Sequence, residues 1–407
     1  MTRSSRSGPL ARDQAAPSPP LNIGLNLIFL VPGETGGMEV AARELIPALL
    51  AESSPGTRFT AFINREAAAA KDGPWGELLP AVTVPVNARN RVQWVLGEQT
   101  LLPPLAMRAG VDLVHSLAST APLWGRFRRV VTVHDLIYAR FPEAHAGIRD
   151  KGMKVLVPQA ARRSDRVIAD SRSTRDDLVG MLGVQPDRID VVPLGLGSVR
   201  RVTPLPEREV RERFDLGERR VLLSLSAKRP HKNLLALIGA LAGIPAEERP
   251  VLVLAGYPTA HEVELRERVA SEGLAADVRF PEWLSAEELE GLWALAQAFV
   301  FPSLYEGFGL PVLESMARGV PVACSNASSL PEVAGEAALL FDPHDELAIA
   351  NALRALLEDQ ALRDRLRARG LDRVAEFTWE RTARLTLESY RRALRDADRH
   401  ILADRLS

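Results

Sequence analysis

The chain has 407 residues, 46% of them hydrophobic and 25% charged, with a formal net charge of −1. That balance supports a large core and two to three globular domains, and it gives no bulk electrostatic case for binding nucleic acid. The one cysteine, Cys324, excludes an intramolecular disulfide and fits a reducing, cytoplasmic setting.

Residues 1–20 are rich in Ser, Arg, Ala and Pro and lack the apolar centre of a secretory signal, so they read as a disordered tail. No run approaches the roughly 20 apolar residues of a membrane span. Leu21–Val31 reads as a first strand, Pro32–Glu39 as a glycine turn and Val40–Ala51 as a helix. This opening is that of a Rossmann-like unit, although it lacks the dinucleotide fingerprint. Gly36 and Gly37 would let the backbone come close to a ligand, or simply permit a turn with positive φ. Phe59–Ile63 and Ala81–Val86 are further strands. Asn90–Arg108 has helical spacing, broken at Pro103 and Pro104, and mixes Trp94, Leu96, Leu101 and Leu102 with arginines. Such a face suits its own domain, an acceptor or a membrane surface.

Val111–His115 and Val130–Val133 are short apolar runs of parallel-strand type, and the second ends in His134-Asp135. Ligands collect at the carboxyl ends of such strands, where a histidine can bond a hydroxyl or phosphate, carry a proton, or merely cap a loop. Arg166–Ala169 and Ile189–Val192 flank a helix capped by Ser171 or Ser173. Pro193–Gly197 ends the first half, and residues 198–219 read as a linker and first helix.

The second half repeats the alternation. Val221–Ser226 is a strand followed by a basic loop, Ala227–Asn233, carrying Lys228, Arg229, His231 and Lys232. Grouped at a strand's carboxyl end, these cations suit phosphate. Val251–Ala255 is a strand, His261–Glu272 a helix, and Val278–Leu284 a strand and turn that would set Trp283 near a base. Ser285–Ala296 is an amphipathic helix. Ala298–Ser325 then reads strand, glycine loop, helix, strand, with Pro311 opening the helix and Gly319 closing it. A glycine loop at a helix N-terminus is a seat for phosphate. Glu306 and Glu314 would repel phosphate but accept hydrogen bonds from hydroxyls, and a ligand with both groups is a nucleotide sugar. Beyond it, Ser329 and Glu332 have capping-box spacing, Ala337–Phe341 is a strand, Asp345–Arg367 a helix and Trp379–Asp398 a final helix.

FPSLYEGFGLPVLESMARGVPV resembles the Glu-x7-Glu signature of glycosyltransferase family 4, the retaining glycosyltransferases of GT-B fold. SLPEVAGEAALLFDP, VVPLGL, FTWERTARLTLESYRRAL and GGMEVAARELIPALL resemble that family's other landmarks, so the likeness covers about residues 21–400. It implies an α/β chain with two Rossmann-like parallel-sheet domains facing across a cleft. The domains would span residues 21–197 on the acceptor side and 198–378 on the nucleotide-sugar side, with the helix in 379–407 crossing back to the first.

The resemblance implies that Glu306 contacts the transferred sugar and Glu314 the ribose. The amides of Gly307, Phe308, Gly309 and Leu310 would meet the sugar and diphosphate, and Gly36 and Gly37 would approach from the other domain. His134 would lie beside the reacting centre and Lys232 would neutralise the leaving diphosphate. Where the family carries Gly-Arg after a strand, this chain has Ser226-Ala227, so Lys228, or else Arg229, is expected to supply the charge. The surroundings look most like mannosyltransferases using GDP-mannose, with a lipid-linked or glycan acceptor in polysaccharide synthesis, at the inner face of the membrane or in the cytoplasm. No cofactor or metal is expected. The rival readings are an epimerase or phosphorylase of the same fold, or a non-catalytic protein that binds sugar nucleotides.

Overall fold

The computed structural model describes residues 21–70, 73–141, 148–197 and 202–406, so the expected tail at residues 1–20 lies outside the described residues. Seven short, mostly apolar runs form the first sheet. They are β1 (Asn22–Leu27), β2 (Arg58–Ile63), β3 (Ala81–Thr83), β4 (Leu113–Ser116), β5 (Arg128–Val133), β6 (Arg166–Ala169) and β7 (Ile189–Val191). Every pair is parallel, in the order β3-β2-β1-β4-β5-β6-β7. Six more form the second parallel sheet: β8 (Val221–Leu225), β9 (Val251–Ala255), β10 (Val278–Arg279), β11 (Ala296–Phe301), β12 (Val322–Ser325) and β13 (Ala338–Phe341). Their order is β10-β9-β8-β11-β12-β13. Parallel sheets need cover on both faces, and helices between the strands supply it.

Each sheet reverses its strand order once, between β1 and β4 and between β8 and β11. A crevice opens outside the carboxyl ends at such a reversal. The loops after β8 and β11, far apart in sequence, therefore emerge side by side, as do those after β5 and β6.

Local chemistry adjusts several boundaries. The break in Asn90–Arg108 falls at Leu101, because the prolines fit the first turn of the second helix, Leu102–Arg108. A helix at Ile148–Arg163 was not expected from the sequence. Asp345–Arg367 is two helices, Glu346–Glu358 and Gln360–Val374; Asp359 interrupts the run and its carboxylate accepts from the Leu362 amide as an N-cap. The capping box expected at Ser329 and Glu332 is absent. The Ser329 hydroxyl lies on the carbonyls of Glu306 and Phe308 instead, at 3.0 and 2.7 Å. A true box forms at Ser285 and Glu288.

The last helix, Trp379–Leu406, returns to the first half. Trp379, Ala383, Leu387, Tyr390 and Ala393 share one apolar core with Ile23, Leu25 and Leu27 of β1. Gly195 allows the approach: a Cβ there would lie 2.5 Å from the Trp379 amide nitrogen. Inside this core, buried His115 places Nδ1 2.7 Å from the Tyr390 hydroxyl and Nε2 2.8 Å from that of Thr132. Burial, helped by the nearby His134 charge, pushes the His115 pKa down to about 3, so the ring is neutral. Tyr390→Phe removes one partner while keeping the ring, stranding a buried nitrogen. It should cost about 1–3 kcal/mol in urea unfolding.

Candidate active site

The two sheet edges enclose a cleft of about 1060 Å³ whose wall takes Gly37, His134 and Asp170 from the first half and Arg229, Lys232 and Glu306 from the second. The glycine loop of the second half, called here the donor loop after the role expected from the sequence, follows β11. Gly309, with φ of 115°, turns the chain into the helix Leu310–Ala317, and Pro311 sits in its first turn. That conformation needs glycine. The Glu306 amide donates to the Ser328 hydroxyl at 2.8 Å. Among the described residues the amides of Gly307, Phe308 and Gly309 have no partner in the chain. Three adjacent free donors at the positive end of a helix make a seat for an anion.

Gly307 is held against the opposite half. A Cβ there would lie 2.0 Å from the His134 carbonyl oxygen, so only glycine fits.

Lys232 closes the short helical turn Pro230–Lys232, which Asn233 ends in the left-handed region at φ 56°. The Asn233 side-chain amide fixes this turn by donating to the carbonyls of Pro302 and Pro343 at 3.2 and 2.7 Å. Lys232 Nζ then donates to Glu306 Oε1 at 2.6 Å, and both side chains are largely buried. It also lies 5.5 Å from the Phe301 ring centre. Glu314, in the first helical turns, lines the cleft. Burial raises its pKa, which Arg318 partly offsets. Among the described residues its carboxylate accepts no side-chain hydrogen bond and remains open to a ligand.

Two expectations for this half fail. Lys228 does not face the cleft. Its Nζ is buried, 2.6 Å from the Gly256 carbonyl and 3.5 Å from Glu262, and burial lowers its pKa. Arg229, the alternative to Lys228, is exposed and lies on the cleft wall. Trp283 is 74% exposed, leans on Tyr257 with ring centres 5.8 Å apart, and is not part of the cleft wall.

In the first half Gly36 has φ of 66° and begins the helix Gly37–Glu52. Gly37 lines the cleft and has open space where a side chain would go; Gly36 stands just behind it. Glu39, buried, holds this turn by accepting from the Gly33 amide at 2.8 Å.

His134 is gripped from both sides. Its Nδ1 lies 2.7 Å from Asp170 Oδ2 and its Nε2 2.9 Å from the Leu117 carbonyl. Burial opposes the charged form, but the Asp170 carboxylate and the Leu117 carbonyl outweigh it and raise the pKa to about 9. His134 is therefore an imidazolium donating through both nitrogens. It contributes fixed positive charge to the cleft, and a free nitrogen for shuttling a proton is not what this geometry offers. Asp170 went unread in the sequence, although it follows β6 as His134 follows β5, and β5 pairs with β6.

A group protonated up to about pH 9 in the fold and about 6.5 in the unfolded chain stabilises fully below 6.5 and loses that stabilisation as pH rises through 9. Asp170→Asn should then cost of order 3 kcal/mol near pH 6, with the gap to the parent narrowing by pH 9. Urea unfolding across that range checks it; a gap independent of pH would contradict the ion pair.

Known proteins resemble this chain in sequence and in fold. Residues 35–197 match the model described as Glycosyltransferase Family 4, and residues 207–373 that of Glycosyl transferases group 1. The O-antigen chain mannosyltransferase B of Escherichia coli is 34% identical over 271 residues, 65% of this chain and 70% of that one. The serotype-specific mannosyltransferase WbdA of Escherichia coli is 33% identical over 67% of this chain, which spans only 34% of WbdA. Sucrose-phosphate synthase from Thermosynechococcus elongatus shares the fold, with a TM-score of 0.70 at 22% identity over 91% of this chain and 98% of that one. With two parallel-sheet halves of GT-B architecture, and a relative matched over most of its length, the chain belongs to glycosyltransferase family 4.

Proposed function

We propose that the protein transfers mannose from GDP-mannose to a hydroxyl of a glycan or lipid-linked acceptor, retaining the anomeric configuration, in polysaccharide synthesis. One observation carries the donor half of this reading: free amides at a helix N-terminus stand beside the Lys232–Glu306 pair. The amides and the helix end would hold the diphosphate, with Arg229 and Lys232 neutralising the charge it gains on leaving. Charge stabilisation of this kind is often the largest catalytic contribution. Glu314 would accept from the ribose hydroxyls and Glu306 from the sugar. Two of the relatives described above are mannosyltransferases, which supports mannose.

Retention follows best from attack on the face that the phosphate leaves. The anomeric carbon–oxygen bond breaks with its electron pair passing to the diphosphate. The acceptor oxygen bonds to the anomeric carbon, and its proton passes to a leaving phosphate oxygen. Glu306 is tied to Lys232, which suits contact with sugar hydroxyls better than free nucleophilic attack. Closed halves would limit donor hydrolysis by excluding water.

A lipid surface is the proposed source of the acceptor. Val92 and Leu96, one helical turn apart, are exposed on the helix Arg91–Thr100 beside Trp124, whose indole donates to the Gln99 carbonyl at 2.6 Å. Arg91 and Trp94, on another face of the same helix, line the cleft, so one helix joins the exposed apolar pair to the cleft wall, and exposed Arg126 adds positive charge. Among the described residues no helix is long and apolar enough to cross a membrane, so contact would be peripheral.

In a donor panel of GDP-mannose, UDP-glucose and ADP-glucose, nucleotide release that depends on acceptor is expected with GDP-mannose. Lys232→Ala and Glu306→Ala should each lower kcat about 100-fold or more. Wild-type turnover by both variants would refute the site assignment. In co-sedimentation, Val92→Asp with Leu96→Asp should abolish binding to anionic vesicles; unchanged binding would remove this face from the proposal.

A further inference from the structure

The helix Arg172–Leu182 of the first half begins at Ser171, whose hydroxyl accepts from the Thr174 amide. Its next free donors are satisfied from the other half. Glu332 Oε2 accepts from the Arg172 amide at 3.1 Å, and Oε1 from the Ser173 amide at 3.2 Å. A carboxylate astride two amides at the positive end of a helix gains both charge-assisted bonds and the dipole.

Five residues further along this helix stands buried Asp177. The Tyr305 hydroxyl, from the donor loop, donates to Asp177 Oδ2 at 2.7 Å and accepts from the Leu136 amide at 3.2 Å. Arg140 pairs with the other Asp177 oxygen and lies over the Tyr305 ring. Between these two contacts the Thr174 hydroxyl lies 3.2 Å from the Gly307 carbonyl. Tyr305 directly precedes Glu306, and Glu332 sits three residues beyond Ser329, which holds the Glu306 and Phe308 carbonyls. The contacts that this helix makes with the other half thus end on the loop carrying Glu306 or on its frame.

We propose that Glu332, Tyr305 and Asp177 form a clasp between the halves: positioning residues that hold the Glu306–Gly309 loop against His134 and so set the closed arrangement in which transfer occurs. None of the three lines the cleft; they act through the loop they hold. Opening the halves would leave two helix amides, the Glu332 carboxylate and one buried Asp177 oxygen without their partners. The clasp therefore favours closure even before a donor arrives, and donor binding adds to a bias already present.

The test uses the full chain with Glu332→Gln, Tyr305→Phe and Asp177→Asn. Glu332 is half-buried, so its conservative replacement leaves the core untouched. Small-angle scattering of the ligand-free chains should give a larger radius of gyration for Glu332→Gln and Tyr305→Phe than for the parent. The kinetic arm rests on the glycosyltransfer reading: with GDP-mannose, kcat should fall about ten-fold while KM for GDP-mannose holds. Combining Tyr305→Phe with Asp177→Asn should cost less than the sum of the two single changes, because they share one bond. An unchanged radius in both single variants overturns the clasp, even if the melting temperature drops. Expansion without turnover on any donor upholds the clasp and counts against the transfer reading instead.

Discussion

The two halves meet backbone to backbone. The His134 carbonyl occupies the place where residue 307 would carry a Cβ, so the donor loop reaches the first half only because that residue is glycine. Much else in the cleft depends on this approach. It sets the free amides of the loop opposite the His134–Asp170 pair, while the pairing of β8 with β11 brings Glu306 to Lys232 within the second half. Strand order supplies the coarse placement and the missing side chain supplies the last few ångströms.

Charge is arranged in the cleft so that each ionised group has a fixed partner or an open side. His134 and Asp170 hold each other, as do Lys232 and Glu306, and these pairs are largely shielded from water. Removing one member of such a pair leaves the other uncompensated in a low-dielectric setting, which costs far more than breaking an exposed pair. Arg229 and Glu314 are the open groups, one cationic and one anionic, on the same wall. A diphosphate flanked by hydroxyls matches that division of charge.

Fold and candidate site were legible where the signal is local. Alternating apolar runs gave the strands, glycine and proline gave the donor loop, and the Glu306–Glu314 spacing set its two carboxylates on one loop and helix. The misreadings concern direction. Lys228 and Arg229 are adjacent, and which of them faces the cleft depends on how the turn before Pro230 leaves β8. Ser329 and Glu332 have the spacing of a capping box, yet the serine serves the loop behind it and the glutamate caps a helix of the other half. Asp170 gives no signal of its own; it matters only because β6 lies beside β5. In each case the deciding partner is distant in sequence, and no local pattern records it.

The return of the last helix into the first core has a consequence for how the chain is made. The chain crosses between the halves twice, at Leu196 and at Phe377, and there the Leu196 amide donates to the Phe377 carbonyl at 3.0 Å. In topological terms the second half is an insertion within the first. During synthesis the second half can complete its core while the first still lacks Trp379, Leu387 and Tyr390, which leave the ribosome after it. The half translated first is therefore finished last, and until then its face at β1 and Gly37–Glu52 stays uncovered, a natural site for chaperone capture.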